Sequence, residues 1–305
     1  MILGIDTSAY VTSIALASGI NVYFDERIPL NVEFGKRGLR QSEAVFQHVK
    51  NMNSLSRKLK CFNIKGVGVS TKPRDLEDSY MPVFNVGESF ANTIANILKV
   101  PLIELSHQEG HVYSGIWSKK VKISDILVIH ISGGTSDVLQ VKNSPFELDI
   151  KQLGSGGDLY AGQFVDRVGV ALGLSFPAGN ELESIAKRIN KTEMRIPSSV
   201  NNYEMSFSGP ESAAQRFIKK DAQPEDLARS VFICIARSLE KVIRHAYSEK
   251  EYQGVMLVGG VARNSIIMNE LKTRVPYNII FCDRRYSGDN AVGIALLAQN
   301  KIQNL

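Results

Sequence analysis

One pattern of apolar and polar stretches occurs twice along the 305 residues, and it restricts the fold more than any other feature. The N-terminus reads as three short strands, ILGIDTS, TSIALAS and NVYFDERI, with Ser18-Gly19 as the turn between the last two. Past residue 125 a second triplet follows: ILVIHISGG, SDVLQVK and FELDIKQL, with Asn143-Ser144-Pro145 as its turn. After the first triplet come a helix (QSEAVFQHVKNMNSLSRKL), the strand GVGVS, a helix (FANTIANIL), the strand PLIELS and a helix that opens with HQEGH. After the second come the helix LARSVFICIARSLEKVIRHAY, the strand GVMLVGG, the helix NSIIMNELKTR, the strand NIIFC and a last helix, AVGIALLAQ. Strands alternating with helices predict parallel βαβ packing, while each leading triplet is an antiparallel meander. The expected fold is α/β, with βββαβαβα written twice. Residues 1–122 form one lobe and 123–305 the other, with an insertion near 158–225 and a final helix that packs back on the first lobe.

Two such halves enclose a cleft, and ligands of α/β sheets bind at the carboxyl ends of the strands. The element order resembles the two-lobed nucleotide-binding superfamily of actin, sugar kinases and heat-shock chaperones, with its RNase H-like halves. Each triplet's first strand runs into a small polar turn, Asp6-Thr7-Ser8 or Ser132-Gly133-Gly134, where backbone N–H groups can hold a phosphate. Gly259-Gly260 stands in the same relation to the strand VMLV, and Asn264 just beyond can bond a sugar hydroxyl or cap the next helix. Asp158, Asp166 and Glu183 lie near the Pro177-Ala178-Gly179 turn and can hold ribose hydroxyls or serve as caps and surface charges. Asp166-Arg167 reads as the start of a helical stretch, DRVGVALGL.

No apolar run approaches the ~20 residues of a membrane span, and MILGIDTSAY lacks the basic and apolar regions of a signal peptide. Cys61, Cys234 and Cys282 stand far apart, which fits buried thiols in a reducing compartment and predicts a cytoplasmic location. The net charge of +5 is a weak pointer to acidic partners such as RNA. Its densest patches are Lys36-Arg37 with Arg40, Lys119-Lys120 with Lys122, and Arg284-Arg285.

HQEGH places His107 and His111 on one helical face, as a metal site requires. Zinc proteases put their general-base Glu directly after the first His. Here that place holds Gln108, and Glu109 lies roughly 200° around the helix from His107. Proteolysis is left without its base, while two partly exposed surface histidines stay as the plain alternative. Asp289, before the helix AVGIALLA, is an N-cap candidate that can also complete a His/His/Asp metal site. His130 sits inside the strand ILVIHIS, more often the place of a bonded core residue, near the end that opens into the cleft.

Together these stretches resemble the TsaD family, formerly described as glycoprotein endopeptidases. HQEGH is similar to its His-x-Glu-Gly-His, and ISGGTSDVL to its Ser-Gly-Gly strand turn. LGSGGDLYAGQFVDR with LGLSFPAGNELESIA resembles its Leu-Gly-Glu, Asp-Lys and Pro-Gly-Gly-Pro segment, and FSGPESA, VGGVARN and SGDNAVGIA follow in the family's order. The match runs over nearly the whole chain.

The resemblance implies a two-lobed transferase that moves a threonylcarbamoyl group from its adenylate to the N6 amine of adenosine 37 in tRNA. It implies one divalent metal, Fe or Zn, on His107, His111 and Asp289, with His130 as a fourth ligand because related proteins carry a ligating Tyr there. It also implies that Thr7, Ser132, Gly133, Gly134, Asp166, Gly179, Glu183, Gly260 and Asn264 line the seat of an ATP- or AMP-type nucleotide or the adenylate. tRNA and a homologous subunit, or a second copy of the chain, are the implied partners, and no membrane is. The departures gather in the cleft. Acidic residues of the family's first turn are replaced by Tyr10 and Val11, leaving the catalytic residue unassigned. Its Gly-Pro-Gly loop is replaced by KPRDLEDSYMP, the His after Ser-Gly-Gly by Thr135, and the Leu-Gly-Glu acid by Ser155. The second reading is therefore a nucleotide-binding paralogue without turnover that acts as a scaffold or regulator.

Overall fold

A computed structural model describes residues 1–8, 10–36, 38–59, 62–122, 124–144 and 148–304. Arg37, Cys61, Pro145 and the first two residues of FELDIKQL, named above, lie outside them. The first half runs β1 (Ile2–Asp6), β2 (Val11–Ser18), β3 (Asn21–Pro29), α1 (Gln41–Ser56), β4 (Gly66–Lys72), α2 (Phe84–Leu98), β5 (Leu102–Ser106) and α3 (His107–Ser118). The second begins with β6 (Asp125–Ile131), β7 (Ser136–Asn143) and β8 (Leu148–Gly154). The insertion follows, as α4 (Ala161–Ala171), α5 (Gly179–Ala186), the small hairpin β9 (Ser199–Asn201) and β10 (Glu204–Ser206), and α6 (Ser208–Ile218). Then come α7 (Pro224–Glu249), β11 (Val255–Val258), α8 (Ser265–Arg274), β12 (Ile279–Phe281), the short α9 (Arg284–Ser287) and α10 (Val292–Gln303).

The two large sheets have one design. Strand order is β3-β2-β1-β4-β5 in the first and β8-β7-β6-β11-β12 in the second. In each, the leading three strands pair antiparallel and the last two join parallel, as the duplicated pattern predicts. The strands next to the parallel crossovers are the most apolar: every residue of β1 and β11 is buried.

Packing of the last helices sets the site. α10 lies against β1, β2 and β4 of the first sheet, with Ala295 and Ala298 over Gly4 and Gly68. α3 lies against the second sheet, where Gly115 meets Met256 and Val258. Each helix thus covers the sheet of the opposite half, and the two cross. At the crossing, a Cβ on Gly293 would stand 1.9 Å from the Gly110 carbonyl oxygen, so side chains are excluded there. Cys234 and Cys282 are buried, and burial pushes their thiols up to about 12 and about 11, which keeps them protonated. Among the described residues no helix is long and apolar enough to cross a membrane.

Candidate metal and nucleotide site

Every residue of HQEGH has a defined task. Ser106 caps α3: its hydroxyl accepts from the Glu109 N–H, while the Glu109 carboxylate accepts from the Ser106 N–H and Oγ. Glu109 also meets Lys301 of α10 at 3.5 Å. The acid that looked like a displaced protease base is a helix-capping residue. Gln108 donates from Nε2 to the buried Asp137 of β7 at 2.7 Å, and Arg74 grips the same carboxylate through Nε at 2.5 Å and Nη2 at 3.1 Å. This link joins the two halves, since Arg74 follows β4. Gly110 permits the crossing with α10.

The two histidines meet Asp289 at that crossing. His107 Nε2 and His111 Nε2 are 3.0 Å apart, and Asp289 Oδ1 lies 3.6 Å from the first and 3.3 Å from the second. Donors at 2.0–2.1 Å from a tetrahedral zinc are separated by about 3.3 Å, so this triangle has the size of one face of such a site. Asp289 is free for it because Asn290 does the capping: its Oδ1 accepts the N–H groups of Val292 and Gly293. The expectation that Asp289 itself could cap α10 is corrected on this point.

Asp6, expected only as part of a phosphate-holding turn, is a further neighbour of the histidines. It is fully buried at the end of β1, and its Oδ2 lies 3.1 Å from His107 Nδ1. Ser70 and Ser8 donate to its two oxygens, at 2.5 and 3.0 Å. A carboxylate behind a ligating imidazole fixes its ring and tautomer. The only sequence signal was an acid at the end of an apolar strand, which caps and turns share.

His130 lies beside this cluster, its ring centroid 4.5 Å from that of His111. It is 1% exposed and neither ring nitrogen has a hydrogen-bond partner among the described residues, so it is not the bonded core residue its strand setting suggests. His107, His111 and Asp289 offer donors within 4.8 Å of one another, and His130 falls outside that group. Burial alone would lower His107, but Asp6 and Asp289 raise it to about 10. Burial and the His107 charge lower His111, and burial with the His111 and His107 charges carries His130 well below the usual range. Burial would raise Asp289, but its bonds to His107 and His111 hold its carboxyl far below the ordinary value. Two carboxylates thus stand against the imidazoles of this pocket, a donor set that suits a cation.

The residues expected at the nucleotide differ in how far their own contacts commit them. Gly133 and Gly134 are exposed after β6, and a Cβ on either would touch nothing within 4 Å, as is true of Gly260. Gly179 meets only Val165, at 3.9 Å. The α4 N-terminus abuts the Ser132 turn, with Gly162 N–H donating to the Ser132 carbonyl. Asp166 sits inside α4, which starts at Ala161 and so five residues earlier than DRVGVALGL suggested; it accepts from the Ala178 N–H. Burial raises its carboxyl to about 6. Glu183 binds Ser265 N, Ser265 Oγ and Lys187. Asn264 caps α8, accepting from Ile266 and Ile267. Thr7 is tied to Val83 and Gly87 of the first half and is fully buried. Asp158 holds Ser206 and Ser208. Tyr10 packs edge-on against Phe176 across the halves, with ring centroids 5.1 Å apart.

The family model for TsaD, tRNA N6-adenosine threonylcarbamoyltransferase, matches residues 80–296. Proteins of that name from Thermosipho melanesiensis and a Sulfurihydrogenibium species are 29% and 30% identical; each alignment takes 97% of this chain, with 93% and 88% of the relative. Among solved structures, the activator of 2-hydroxyisocaproyl-CoA dehydratase from Clostridium difficile with bound ADPNP aligns at a TM-score of 0.56 and 18% identity, covering 99% of this chain and 96% of that one. A ROK family glucokinase from Streptomyces griseus in complex with glucose and AMPPNP aligns at 0.56 and 9%, covering 98% and 99%. The structural likenesses show the fold: the actin-like, sugar-kinase two-lobed architecture.

Proposed function

The chain belongs to the tRNA N6-adenosine threonylcarbamoyltransferase family, and from that premise we propose that it binds threonylcarbamoyl-adenylate beside a metal in the cleft and transfers the carbamoyl group to the N6 amine of a tRNA adenosine. The observation that carries this reading is the His107–His111–Asp289 triangle, whose edges of 3.0, 3.3 and 3.6 Å fit one metal ion. His107, His111 and Asp289 would hold iron or zinc, and His130, without a hydrogen-bond partner among the described residues, would be a reserve donor. Such an ion supplies Lewis acidity toward the carbamoyl carbonyl and charge for the adenylate's phosphate oxygens.

The protein's own groups do the rest. Asp6 fixes the His107 ring. The open backbone at Gly133, Gly134 and Gly260 leaves room for phosphate and sugar, and Asp166 is a carboxyl for the ribose. In the transfer the adenosine nitrogen forms its bond to the carbamoyl carbon, the carbon–oxygen bond to phosphate breaks, and AMP leaves with the electron pair. Held in line, the two reactants gain effective concentration over free solution. The nitrogen's proton leaves to water as the bond forms.

One observation favours the second reading, a nucleotide-binding subunit without turnover. Where the family has acids, Tyr10 is packed on Phe176 and burial raises its hydroxyl above the ordinary value. The discriminating experiment supplies labelled threonylcarbamoyl-adenylate and unmodified tRNA to metal-loaded protein, with and without a partner subunit. Label in the tRNA, lost in His111→Ala, supports the transferase. Retained adenylate with no label transferred supports the scaffold.

A further inference from the structure

Two shallow grooves that include none of the histidine-cluster residues are each lined in part by the end of α8, one through Lys272 and the other through Arg274. The first, about 620 Å³, runs along β12, the edge strand of its sheet, and is lined by Lys119, Lys122 and Lys272 with Ile279 and Phe281. The second, about 290 Å³, is lined by Arg237, Lys241, Arg244 and Arg274, with Glu240 as its one acid. Together the linings hold seven cationic side chains and one carboxylate. The whole chain has 36 basic and 31 acidic residues, so these linings are more basic than the chain as a whole. Arg244 and Arg274 are bound by Glu240 and Glu270. Among the described residues the other five make no ion pair, and Lys119, Lys122, Lys241 and Lys272 are exposed.

Five cations without an ion pair among the described residues, beside two neighbouring grooves, match a polyanion. We propose that this face seats the phosphate backbone of a double-helical arm of the tRNA, with the last turn of α8 between the strands. An α-helix is about 10–12 Å across, and the minor groove of A-form RNA is wide and shallow enough to be read by shape and phosphate contact. Lys272, over the Phe281 ring at 5.8 Å, lines the first groove, and Arg237 and Lys241 line the second. The lysines at the far end of α3 lie a helix length of 12 residues, about 18 Å, from His107. A folded RNA can therefore touch both places. The proposal rests on the transferase reading for the identity of the RNA.

The test is filter binding of unmodified tRNA to the full chain across a KCl series. Wild type is compared with Lys119→Ala/Lys122→Ala/Lys272→Ala and with Arg237→Ala/Lys241→Ala, and metal content is measured on the same samples. Each released counterion contributes roughly 0.7–0.9 to the slope of log affinity against log salt. The triple variant should lose about 2 to 3 from that slope and at least tenfold in affinity; the double variant should lose about 1 to 2. Metal content should not change. Wild-type affinity and slope in both variants would overturn the RNA face and leave the transferase reading intact. No tRNA binding by wild type at low salt would overturn both. Capture of phosphatidylserine vesicles in place of tRNA would overturn the proposal in favour of a membrane.

Discussion

Gly110 of α3 and Gly293 of α10 touch backbone to backbone, and this contact places His107 and His111 against Asp289. A Cβ on Gly293 would lie 1.9 Å from the Gly110 carbonyl oxygen and 2.7 Å from its carbonyl carbon. Gly293→Ala should force the helices apart, cost about 3 kcal/mol or more of stability in urea unfolding, and lower bound metal. Gly133→Ala is the contrast: a Cβ there meets nothing within 4 Å, so stability should hold within about 0.5 kcal/mol while nucleotide affinity falls.

Asp6 should be worth more to metal affinity than its distance from the donor triangle suggests. Asp6→Asn keeps the shape but removes the charge behind His107 Nδ1. Competition with a chelator should show metal binding weakened roughly 10–100-fold. An unchanged affinity would remove Asp6 from the site.

The Arg74–Asp137 link should be a stability element. Arg74→Ala leaves a fully buried carboxylate with Gln108 as its one remaining side-chain partner among the described residues. A loss of roughly 2–4 kcal/mol is expected in urea unfolding, with an unchanged m-value. Arg74→Lys should recover only part, since an ammonium cannot grip both oxygens through a planar fork.

Asp166 gives a pH signature. Burial raises its carboxyl from 3.8 to about 6, with the Ala178 N–H pulling the other way. The unfolded chain releases this proton near pH 3.8 and the folded one near 6, so the folded state holds more protons between them. Stability from this group therefore falls as pH rises through that window. Asp166→Asn should be more stable than wild type above pH 6, by roughly 2–3 kcal/mol, with the difference vanishing below pH 4. A difference that does not vary with pH would contradict this.

Much of this was legible in the chain. The βββαβαβα repeat reappears strand for strand because period-2 and period-3.6 patterns and turn residues are local. His107 and His111 share a face because four residues make about one helical turn. Local signals do not record long-range pairing, and there the reading stopped. Nothing in the sequence says that Asn290 caps α10 so that Asp289 can turn inward, or that Asp6 lies behind His107 across 101 residues. Glu109 and Gln108 misled for the same reason: a capping box and a bond to Asp137 look, in one dimension, like a misplaced protease base.

The most direct measurement is native mass spectrometry with metal analysis on wild type and His111→Ala. About one iron or zinc per chain in wild type, lost in the variant while the fold is retained, is the result predicted by the His107–His111–Asp289 triangle. A wild-type chain that takes up no metal when offered either ion, or a variant that keeps it, would contradict the account.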